Sequence, residues 1–256
     1  MKYFKLIGLL SLLAFSFFLT DFVTELAINS NPLMQSIKNN SNIYEVSSVN
    51  AYIEDNTIIP GIKGKKVNEM ESYLNMKDFG VFNLNYLVYD NVIPDISLEN
   101  NKDKIIISGN TNKRQVSILV KNNNKIIDYN KNNNIQYSKL INKFENKNNY
   151  NEFINICSNN KEFNNLNILL NKNNLNKKIC ILNYSNIEEC KNNKYYIVKP
   201  NAYFNNNNYI NTLNEINNGS IIFIDDNTSI EKYKILLDYL SNKDIKIVYL
   251  SNLIEE

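Results

Sequence analysis

A β-α-β pattern near the C-terminus constrains the fold of this chain more than any other feature of its sequence. Residues Ser220–Ile224 have the composition of a buried strand, Ile230–Leu240 repeat apolar side chains at helical spacing, and Ile245–Leu250 form a second apolar run. Two strands joined through a helix pair in parallel within one sheet, with a right-handed crossover. The pattern therefore predicts an α/β fold built on a parallel sheet.

Shorter patterns predict further elements upstream. Between Lys121 and Asn218 there is no glycine and 35 of 98 residues are asparagine, so the apolar periodicity there is diluted. The predicted strands are Tyr86–Tyr89, Ile105–Ser108, Val116–Val120, Ile179–Asn183 and Tyr195–Val198. The predicted helices are Val67–Lys77, Tyr137–Phe144, Phe153–Cys157 and Phe163–Leu170.

The N-terminal residues form an apolar segment of membrane-spanning length. Phe4–Val23 comprises 20 residues, and Leu6–Thr20 within it carries no charge. At about 1.5 Å per residue, a helix of this length spans roughly 30 Å, the thickness of the hydrocarbon core of a bilayer. We interpret it as an uncleaved signal anchor, because no A-x-A-like cleavage site follows it. A cleaved signal peptide is the alternative.

The charges at the two ends of this segment predict its orientation. Lys2 and Lys5 lie on the N-terminal side, whereas Asp21 and Glu25 lie on the C-terminal side. Positively charged flanks stay in the cytoplasm. We therefore expect a single-pass protein of the cell membrane whose C-terminal domain is extracytoplasmic.

Changes in composition predict four segments along the chain. Residues 1–24 would be the signal anchor and transmembrane helix, and residues 25–46 a stalk whose helix is interrupted at Pro32. Residues 47–112, in which Gly61, Gly64 and Gly80 follow one another closely, would form a small β-rich module. Residues 113–256 would form the main α/β domain.

The composition excludes several kinds of site. The chain has no histidine, which removes His general bases, Ser-His-Asp triads and His-containing zinc sites. Its net charge of +2 is spread along the chain, so we expect no nucleic-acid partner. The 54 asparagines accompany many Lys, Ile, Tyr and Phe residues, which is typical of an AT-rich genome; selected prion-like behaviour is the alternative.

Two stretches of the sequence resemble a known family. Residues 58–83 (IIPGIKGKKVNEMESYLNMKDFGVFN) and 101–110 (NKDKIIISGN) are similar to the N-terminal module of membrane-anchored polysaccharide deacetylase-like proteins of low-GC bacteria. The run Asn218–Glu255 resembles the closing β-α-β of the polysaccharide deacetylase domain (carbohydrate esterase family four). The resemblance implies a deformed (β/α) barrel, here shortened and eroded, preceded by the small β-rich module and the N-terminal transmembrane helix.

The resemblance also implies a divalent metal site, which this sequence does not retain. In the family an aspartate and two histidines bind the metal, and a neighbouring aspartate acts as a base. The metal activates the water that attacks an N-acetyl group of a polysaccharide. The strand that normally runs into a T-F-D-D-G motif here runs into Lys121 and Asn122. The H-x-x-x-[ST]-x-x-H segment is missing, and Asp225 stands at the histidine position of the family's last strand motif.

These departures predict a degenerate, non-catalytic homologue with no metal and no cofactor. Lys121 would place a positive charge where the metal belongs. Asp225 and Asp226 could supply carboxylates, but adjacent residues of a strand point to opposite faces unless the strand has already ended. We expect a structural or glycan-binding role at the cell envelope, with cell-wall glycan as the partner. A metal-dependent polysaccharide N-deacetylase with an altered site, or a decaying paralogue without selected function, are the alternatives.

The three cysteines are Cys157, Cys180 and Cys190. Loosely matching relatives of the family keep a pair spaced like Cys180 and Cys190, and an extracytoplasmic location permits a disulfide. Such a bond would close a loop of about ten residues and contribute roughly 2–3 kcal/mol to stability. Two buried free thiols are the alternative. If that disulfide forms, Cys157 is left over, either buried or available for an intermolecular bond.

Some of the tyrosines could stack on sugar rings. With 17 tyrosines and no tryptophan in the chain, a role as core or surface filler is the alternative for most of them. The tyrosines considered are Tyr195, Tyr196, Tyr203 and Tyr209.

Overall fold

The computed structural model describes residues 2–144 and 152–256. The contacts among them divide the chain into two units. The smaller unit comprises the residues up to Ser48 together with Lys63–Ile93. The larger unit comprises Val49–Ile62 together with Pro94–Glu256.

The described residues of both units form helices and strands, which alternate over most of the larger unit. The helices are α1 (Lys2–Asn29), α2 (Pro32–Tyr44), α3 (Glu69–Met76), α4 (Asn124–Asn132), α5 (Asn160–Lys172), α6 (Ile187–Asn192), α7 (Tyr209–Glu215), α8 (Ile230–Asn242) and α9 (Leu250–Ile254). The strands are β1 (Tyr52–Glu54), β2 (Thr57–Ile59), β3 (Gly64–Val67), β4 (Tyr89–Val92), β5 (Ile105–Ile106), β6 (Gln115–Val120), β7 (Ser138–Ile141), β8 (Glu152–Asn155), β9 (Ile179–Ile181), β10 (Tyr196–Val198), β11 (Ala202–Phe204), β12 (Ile221–Ile224) and β13 (Lys246–Val248).

Helix α1 contains the predicted apolar segment. Its part Leu10–Asn29 has a mean hydropathy of 1.6, and no residue of its most apolar stretch is buried against the rest of the protein. By length and composition this stretch could cross a membrane, although a signal sequence would meet the same criteria. The chain then breaks as predicted: α1 ends at Asn29, and α2 begins at Pro32, where the missing proline N–H costs no helical hydrogen bond.

The segment predicted as a stalk is part of a packed structure. Asn31 caps α2 by accepting a hydrogen bond from the Leu33 N–H at 2.9 Å. Leu33 and Ile37 of α2 are buried in one apolar cluster with Val67 and with Met76 of α3. The predicted helix over Val67–Lys77 is confirmed as α3, and burial of one face of α2 against it explains why residues 32–44 do not extend as a free stalk.

Two mainly parallel sheets form the larger unit. One has the strand order β1-β2-β5-β10-β9, with β1 antiparallel to β2 and the other neighbours parallel. The second has the order β11-β12-β6-β7-β8, entirely parallel, and β13 also pairs with β6. The α/β class is thus confirmed. Within the described residues the strands of this unit form two separate sheets and not one continuous barrel. A single bridge joins Phe153, on the edge strand β8 of the second sheet, to Asn176, which precedes β9 of the first sheet.

The apolar core lies in layers on the two faces of these sheets. One cluster joins strand residues of both sheets, such as Ile106 and Leu119, and includes Leu253 of α9. A second cluster packs Val116, Ile118 and Val120 of β6 against α4 and α8. Successive residues of β6 therefore alternate between two apolar layers, as the period of a strand requires.

The C-terminal β-α-β prediction is confirmed. Strands β12 and β13 flank β6, since Ser117 is paired with Ile221 on one side and with Val248 on the other. Helix α8 connects them, and Tyr233 and Leu236 on its inner face are fully buried. The prediction succeeds because each element carries its own pattern.

Three other element predictions are wrong. Tyr137–Phe144 and Phe153–Cys157, predicted as helices, contain the strands β7 and β8. The residues of these strands are covered on both faces, so their apolar runs lack the alternation that distinguishes a half-exposed strand from a buried helix. Tyr86–Tyr89 is not a strand, because a 3₁₀ turn ends at Tyr86 and β4 begins only at Tyr89.

The boundary between the units also differs from the predicted division at residue 112. Strand β2 pairs in parallel with β5, and β5 pairs with β10. These long-range ladders bring Val49–Ile62 and the residues after Pro94 into the larger unit. Of the predicted β-rich module, Ser47, Ser48 and Lys63–Ile93 belong to the smaller unit, which also contains α1 and α2.

A buried carboxylate connects three elements of the larger unit. Glu152 of β8 is 4% exposed and accepts a hydrogen bond from the Ser138 hydroxyl of β7 at 2.6 Å. Its other oxygen accepts the Ser251 N–H of α9 at 3.1 Å, while the Ser138 Oγ accepts the Leu250 N–H at 2.9 Å. The carboxylate and the Ser138 hydroxyl thus each accept one backbone N–H at the start of α9, where a helix has no partner of its own for these donors.

We expect Glu152→Ala to lower the free energy of unfolding by roughly 2–3 kcal/mol, because it leaves the Ser138 hydroxyl and the Ser251 N–H unpaired. Glu152→Gln keeps an acceptor oxygen and should cost less. Urea denaturation of the full-length protein in detergent measures both values. Equal stability of the wild type and the alanine variant would contradict the role assigned to this carboxylate.

Candidate functional site

Two neighbouring parallel strands end side by side at one edge of the second sheet. The register pairs Val120, the last residue of β6, with Ile224, the last residue of β12. The next residues, Lys121 and Asp225, therefore occupy equivalent positions beyond the strand ends. In open parallel sheets, loops at the carboxyl ends of strands form the usual ligand-binding crevice. The sequence-predicted positions are thus brought to the same edge.

The loops after β6 and β12 are fastened to each other. The backbone N–H and the side-chain amide of Asn122 donate to the two carboxylate oxygens of Asp226, at 3.0 and 3.1 Å. The amide of Asn123 donates to the Thr228 carbonyl at 2.8 Å, and its oxygen caps α4. Both oxygens of Asp226 therefore accept hydrogen bonds from the neighbouring loop.

The two adjacent aspartates have different partners. Asp225 accepts a hydrogen bond from the Asn227 N–H at 2.9 Å, as in an Asx turn, whereas Asp226 binds Asn122. Strand β12 ends at Ile224, so both aspartates lie beyond the strand. Both side chains are exposed. The Asp225 carboxylate thus stabilises its own turn, and the Asp226 carboxylate binds the loop that follows β6.

Lys121 lies against an aromatic ring. Its Nζ is 5.8 Å from the centroid of the Tyr184 ring, a distance at which a cation is attracted by the ring face. The side chain is half-buried. Among the ion pairs found in the described ranges, Lys121 and Asp225 are not joined.

Three aromatic side chains form a row beside these loops. The rings of Tyr184 and Phe223 are stacked with centroids 5.2 Å apart, and Tyr203 lies 5.9 Å from Phe223 on the adjacent strand β11. Phe223 is 7% exposed, whereas Tyr203 is 45% exposed. We call Tyr184, Phe223 and Tyr203 the aromatic row.

The charged residues at this edge affect the pKa of a tyrosine in the aromatic row. Burial raises the pKa of Tyr184, and the nearby Tyr203, Asp226 and Asp225 raise it further. Burial also raises the pKa of Tyr203. Both phenols are therefore neutral hydrogen-bonding groups at neutral pH, next to the loops that carry Lys121 and the two aspartates.

The residues at this edge do not fit a divalent metal ion. A hydrolytic metal site needs about three protein ligands and an open position. Lys121 brings a positive charge, Asn122 donates its amide N–H instead of offering an oxygen, and Asp226 already accepts from Asn122. No group of three or more His, Cys, Asp or Glu side chains suited to a metal occurs in residues 2–144 and 152–256.

Of the four tyrosines considered from the sequence, Tyr203 alone belongs to the aromatic row. Tyr195 is 9% exposed and its hydroxyl accepts from the Asn176 amide at 2.9 Å. Tyr196 donates to Glu99 at 2.8 Å, and the Tyr209 ring lies under Lys232. Tyr184 and Phe223 are not among the residues predicted from the sequence. Their positions in the sequence could have indicated them, since Tyr184 closely follows the end of β9 and Phe223 lies within the apolar run of β12.

Cys180 of β9 and Cys190 of α6 are joined by a disulfide, with their Cα atoms 6.4 Å apart. Both sit in an apolar cluster with Phe163 and Leu166 of α5. The bond fastens α6 to the edge strand of the first sheet. Cys157 is buried and free, and burial followed by the charge of Glu162 raises the pKa of its thiol.

We expect the denatured protein to show one titratable thiol without reductant and three after reduction. The double variant Cys180→Ser/Cys190→Ser should be roughly 2–3 kcal/mol less stable, because its unfolded chain is less constrained. Cys157→Ser serves as the control and should show no titratable thiol before reduction. Three thiols without reductant in the wild type would contradict the disulfide.

Comparison of the sequence with known proteins gives a match to part of the chain. No family model matches the chain. Over 101 residues the chain is 38% identical to the uncharacterized protein YlxY of Bacillus subtilis (strain 168), a match that covers 39% of this chain and 31% of that protein. The alignment thus spans about a third of the curated relative's length.

Solved structures match over most of the chain. Wild-type BA3943, a CE4 family pseudoenzyme from Bacillus anthracis, superposes with a TM-score of 0.59 at 18% identity, covering 88% of this chain and 95% of that one. A BA3943 mutant, a CE4 family pseudoenzyme with restored enzymatic activity, superposes with a TM-score of 0.56 at 16% identity, covering 88% and 98%. At these identities the matches establish architecture, and this chain has the fold of the CE4 carbohydrate esterases.

Proposed function

We propose that this protein is a non-catalytic, polysaccharide deacetylase-like protein with a structural or glycan-binding role at the cell envelope. The observation that carries the proposal is the hydrogen-bonded pair of Asn122 and Asp226 beside Lys121. At the strand ends where CE4 chemistry would require metal-binding carboxylates, a lysine and an amide stand instead. The only carboxylate in that pair is occupied by the amide.

The similar structures also support the proposed non-catalytic role. BA3943 has this fold and is itself a CE4 family pseudoenzyme, so the architecture persists in a protein that has lost its activity. A mutant of BA3943 with restored enzymatic activity superposes on this chain about as well as the wild type does, so the same architecture accompanies both states of that protein. In this chain, in addition, histidine is absent from the entire sequence.

Glycan is the ligand that the aromatic row favours. Flat aromatic faces stack on the apolar faces of sugar rings, and a phenol adds a hydrogen-bonding group at the rim. Tyr203 is the exposed member of the row, and Tyr184 and Phe223 hold it in place. Neutral phenols and the exposed Asp225 offer both donors and acceptors to sugar hydroxyls.

The apolar helix α1 and the charges near its ends support an extracytoplasmic location in the cell membrane as part of this proposal. Leu10–Asn29 is long and apolar enough to span a bilayer. The lysines that precede it would remain in the cytoplasm, and the larger unit would then lie outside. The disulfide between Cys180 and Cys190 agrees with an oxidising compartment.

We expect the purified full-length protein in detergent to release no acetate from N-acetylated cell-wall glycan, with or without added Zn²⁺ or Co²⁺. The reason is that Lys121 and the Asn122–Asp226 pair leave no set of ligands for the metal. An active CE4 deacetylase in the same detergent is the positive control. Acetate release that added metal supports and a chelator abolishes would establish the alternative, an N-deacetylase with an altered site.

We expect Tyr203→Ala to weaken binding to purified cell-wall glycan by about fivefold, which corresponds to about 1 kcal/mol of lost ring stacking. Tyr203→Phe keeps the ring and should bind nearly as well as the wild type. The matched control is Tyr52→Ala, which removes a tyrosine that is 61% exposed and lies on β1. Co-sedimentation with insoluble glycan measures the three affinities, and equal effects of Tyr203→Ala and Tyr52→Ala would exclude the aromatic row.

A further inference from the structure

An exposed apolar loop follows α3 in the smaller unit. Phe79 is 61% exposed, Val81 63%, Leu84 48% and Tyr86 41%. We call residues Phe79–Tyr86 the apolar loop. Large apolar side chains that cluster on a surface mark a contact with another molecule or with a membrane.

The apolar side chains are exposed by a loop that its own hydrogen bonds define. The N–H groups of Phe79 and Gly80 donate to the Met76 carbonyl at 2.9 and 3.1 Å, and Gly80 has a φ of +69°, the left-handed conformation that ends many helices. Asn83 then caps a 3₁₀ turn over Leu84–Tyr86. The rings of Phe79 and Tyr86 stack with centroids 5.2 Å apart. The outward direction of these side chains is therefore built into the loop.

The apolar loop lies at the end of the smaller unit from which α1 emerges. At the far end of α2, the Glu45 side chain accepts the Val67 N–H at 3.2 Å, and Val46 bridges Lys65. The start of α3 is thus next to the end of α2, so the two helices run antiparallel. The end of α3, and the apolar loop after it, consequently lie beside the start of α2.

The start of α2 is also where α1 is held. The Gln35 amide of α2 donates to the Asn29 carbonyl at 2.6 Å, and Lys38 donates to the Asn29 side chain at 2.9 Å. Asn29 is the last residue of the apolar stretch that could span a bilayer. A bilayer around α1 would therefore meet the smaller unit at the end that carries the apolar loop.

We propose that the apolar loop is a second membrane contact, which inserts Phe79 and Val81 into the interfacial region of the bilayer that α1 spans. The proposal rests on the anchoring role proposed for α1. Apolar side chains enter the boundary of the acyl chains, and a tyrosine such as Tyr86 is favoured at the level of the headgroups. Two contacts, one spanning and one interfacial, fix the orientation of the smaller unit on the membrane, which a single helix followed by a free stalk would not.

The absence of tryptophan from the chain gives a direct test, because one substitution supplies the only indole. Full-length Phe79→Trp is reconstituted into phosphatidylcholine–phosphatidylglycerol vesicles whose acyl chains are brominated either near the headgroup or near the methyl end. We expect blue-shifted emission and a loss of fluorescence that is greater with the shallow bromines. Phe17→Trp, in the middle of α1, should be quenched more by the deep bromines.

Ile43→Trp is the matched control. Ile43 is 70% exposed and lies near the far end of α2, so its indole should not be quenched by either lipid. Quenching of Phe17→Trp without quenching of Phe79→Trp would overturn the second contact and leave the anchor intact. Absence of quenching in Phe17→Trp would overturn the anchor and this inference with it.

Two further results would also overturn the proposal. Equal quenching of Phe79→Trp and Ile43→Trp would mean that the smaller unit adsorbs without a defined contact. A blue shift of Phe79→Trp without quenching would mean that protein, such as a second copy of the chain, covers the apolar loop.

Discussion

Strand β6 pairs with β12 on one side and with β7 and β13 on the other, and the larger unit is arranged around these parallel ladders. Both of its faces are buried, one under α4 and α8 and the other in the core shared with the first sheet. Because parallel strands point their carboxyl ends in one direction, the register of β6 with β12 places Lys121 beside Asp225. The position of the candidate site is a direct consequence of this pairing.

The contacts at the same edge occupy the polar side chains that follow β6 and β12. Carboxylates gathered for a metal repel one another when the metal is absent. Here the charges are dispersed among local partners: Lys121 lies over Tyr184, Asp225 closes its own turn, and Asp226 receives two hydrogen bonds from Asn122. These contacts give each of the three charged side chains a partner within the protein.

An element could be predicted from the sequence when its signal lay within one short segment of the chain. The helices α3, α5 and α8 and the strands β6 and β12 carried clear patterns, and the break before Pro32 was readable from proline chemistry alone. Strands β7 and β8 were mistaken for helices because burial on both faces erased their alternation. The division into units was missed because it depends on the pairing of β2 with β5 and of β5 with β10, between residues far apart in the chain. Tyr203 was a candidate from the sequence, whereas its partners Tyr184 and Phe223 were not, since ring stacking depends on the meeting of separate elements.

The sequence by itself determined the class of the fold, the apolar N-terminal helix and the exclusion of every histidine-based site, because each of these depends on composition or on periodicity within one segment. The tertiary structure decided the rest: the aromatic row, the Asn122–Asp226 pair and the position of the apolar loop at the start of α2. These features join residues that the chain separates widely, such as Asn122 and Asp226. Their contacts come from strand register and helix packing, which depend on long-range burial and not on local preference.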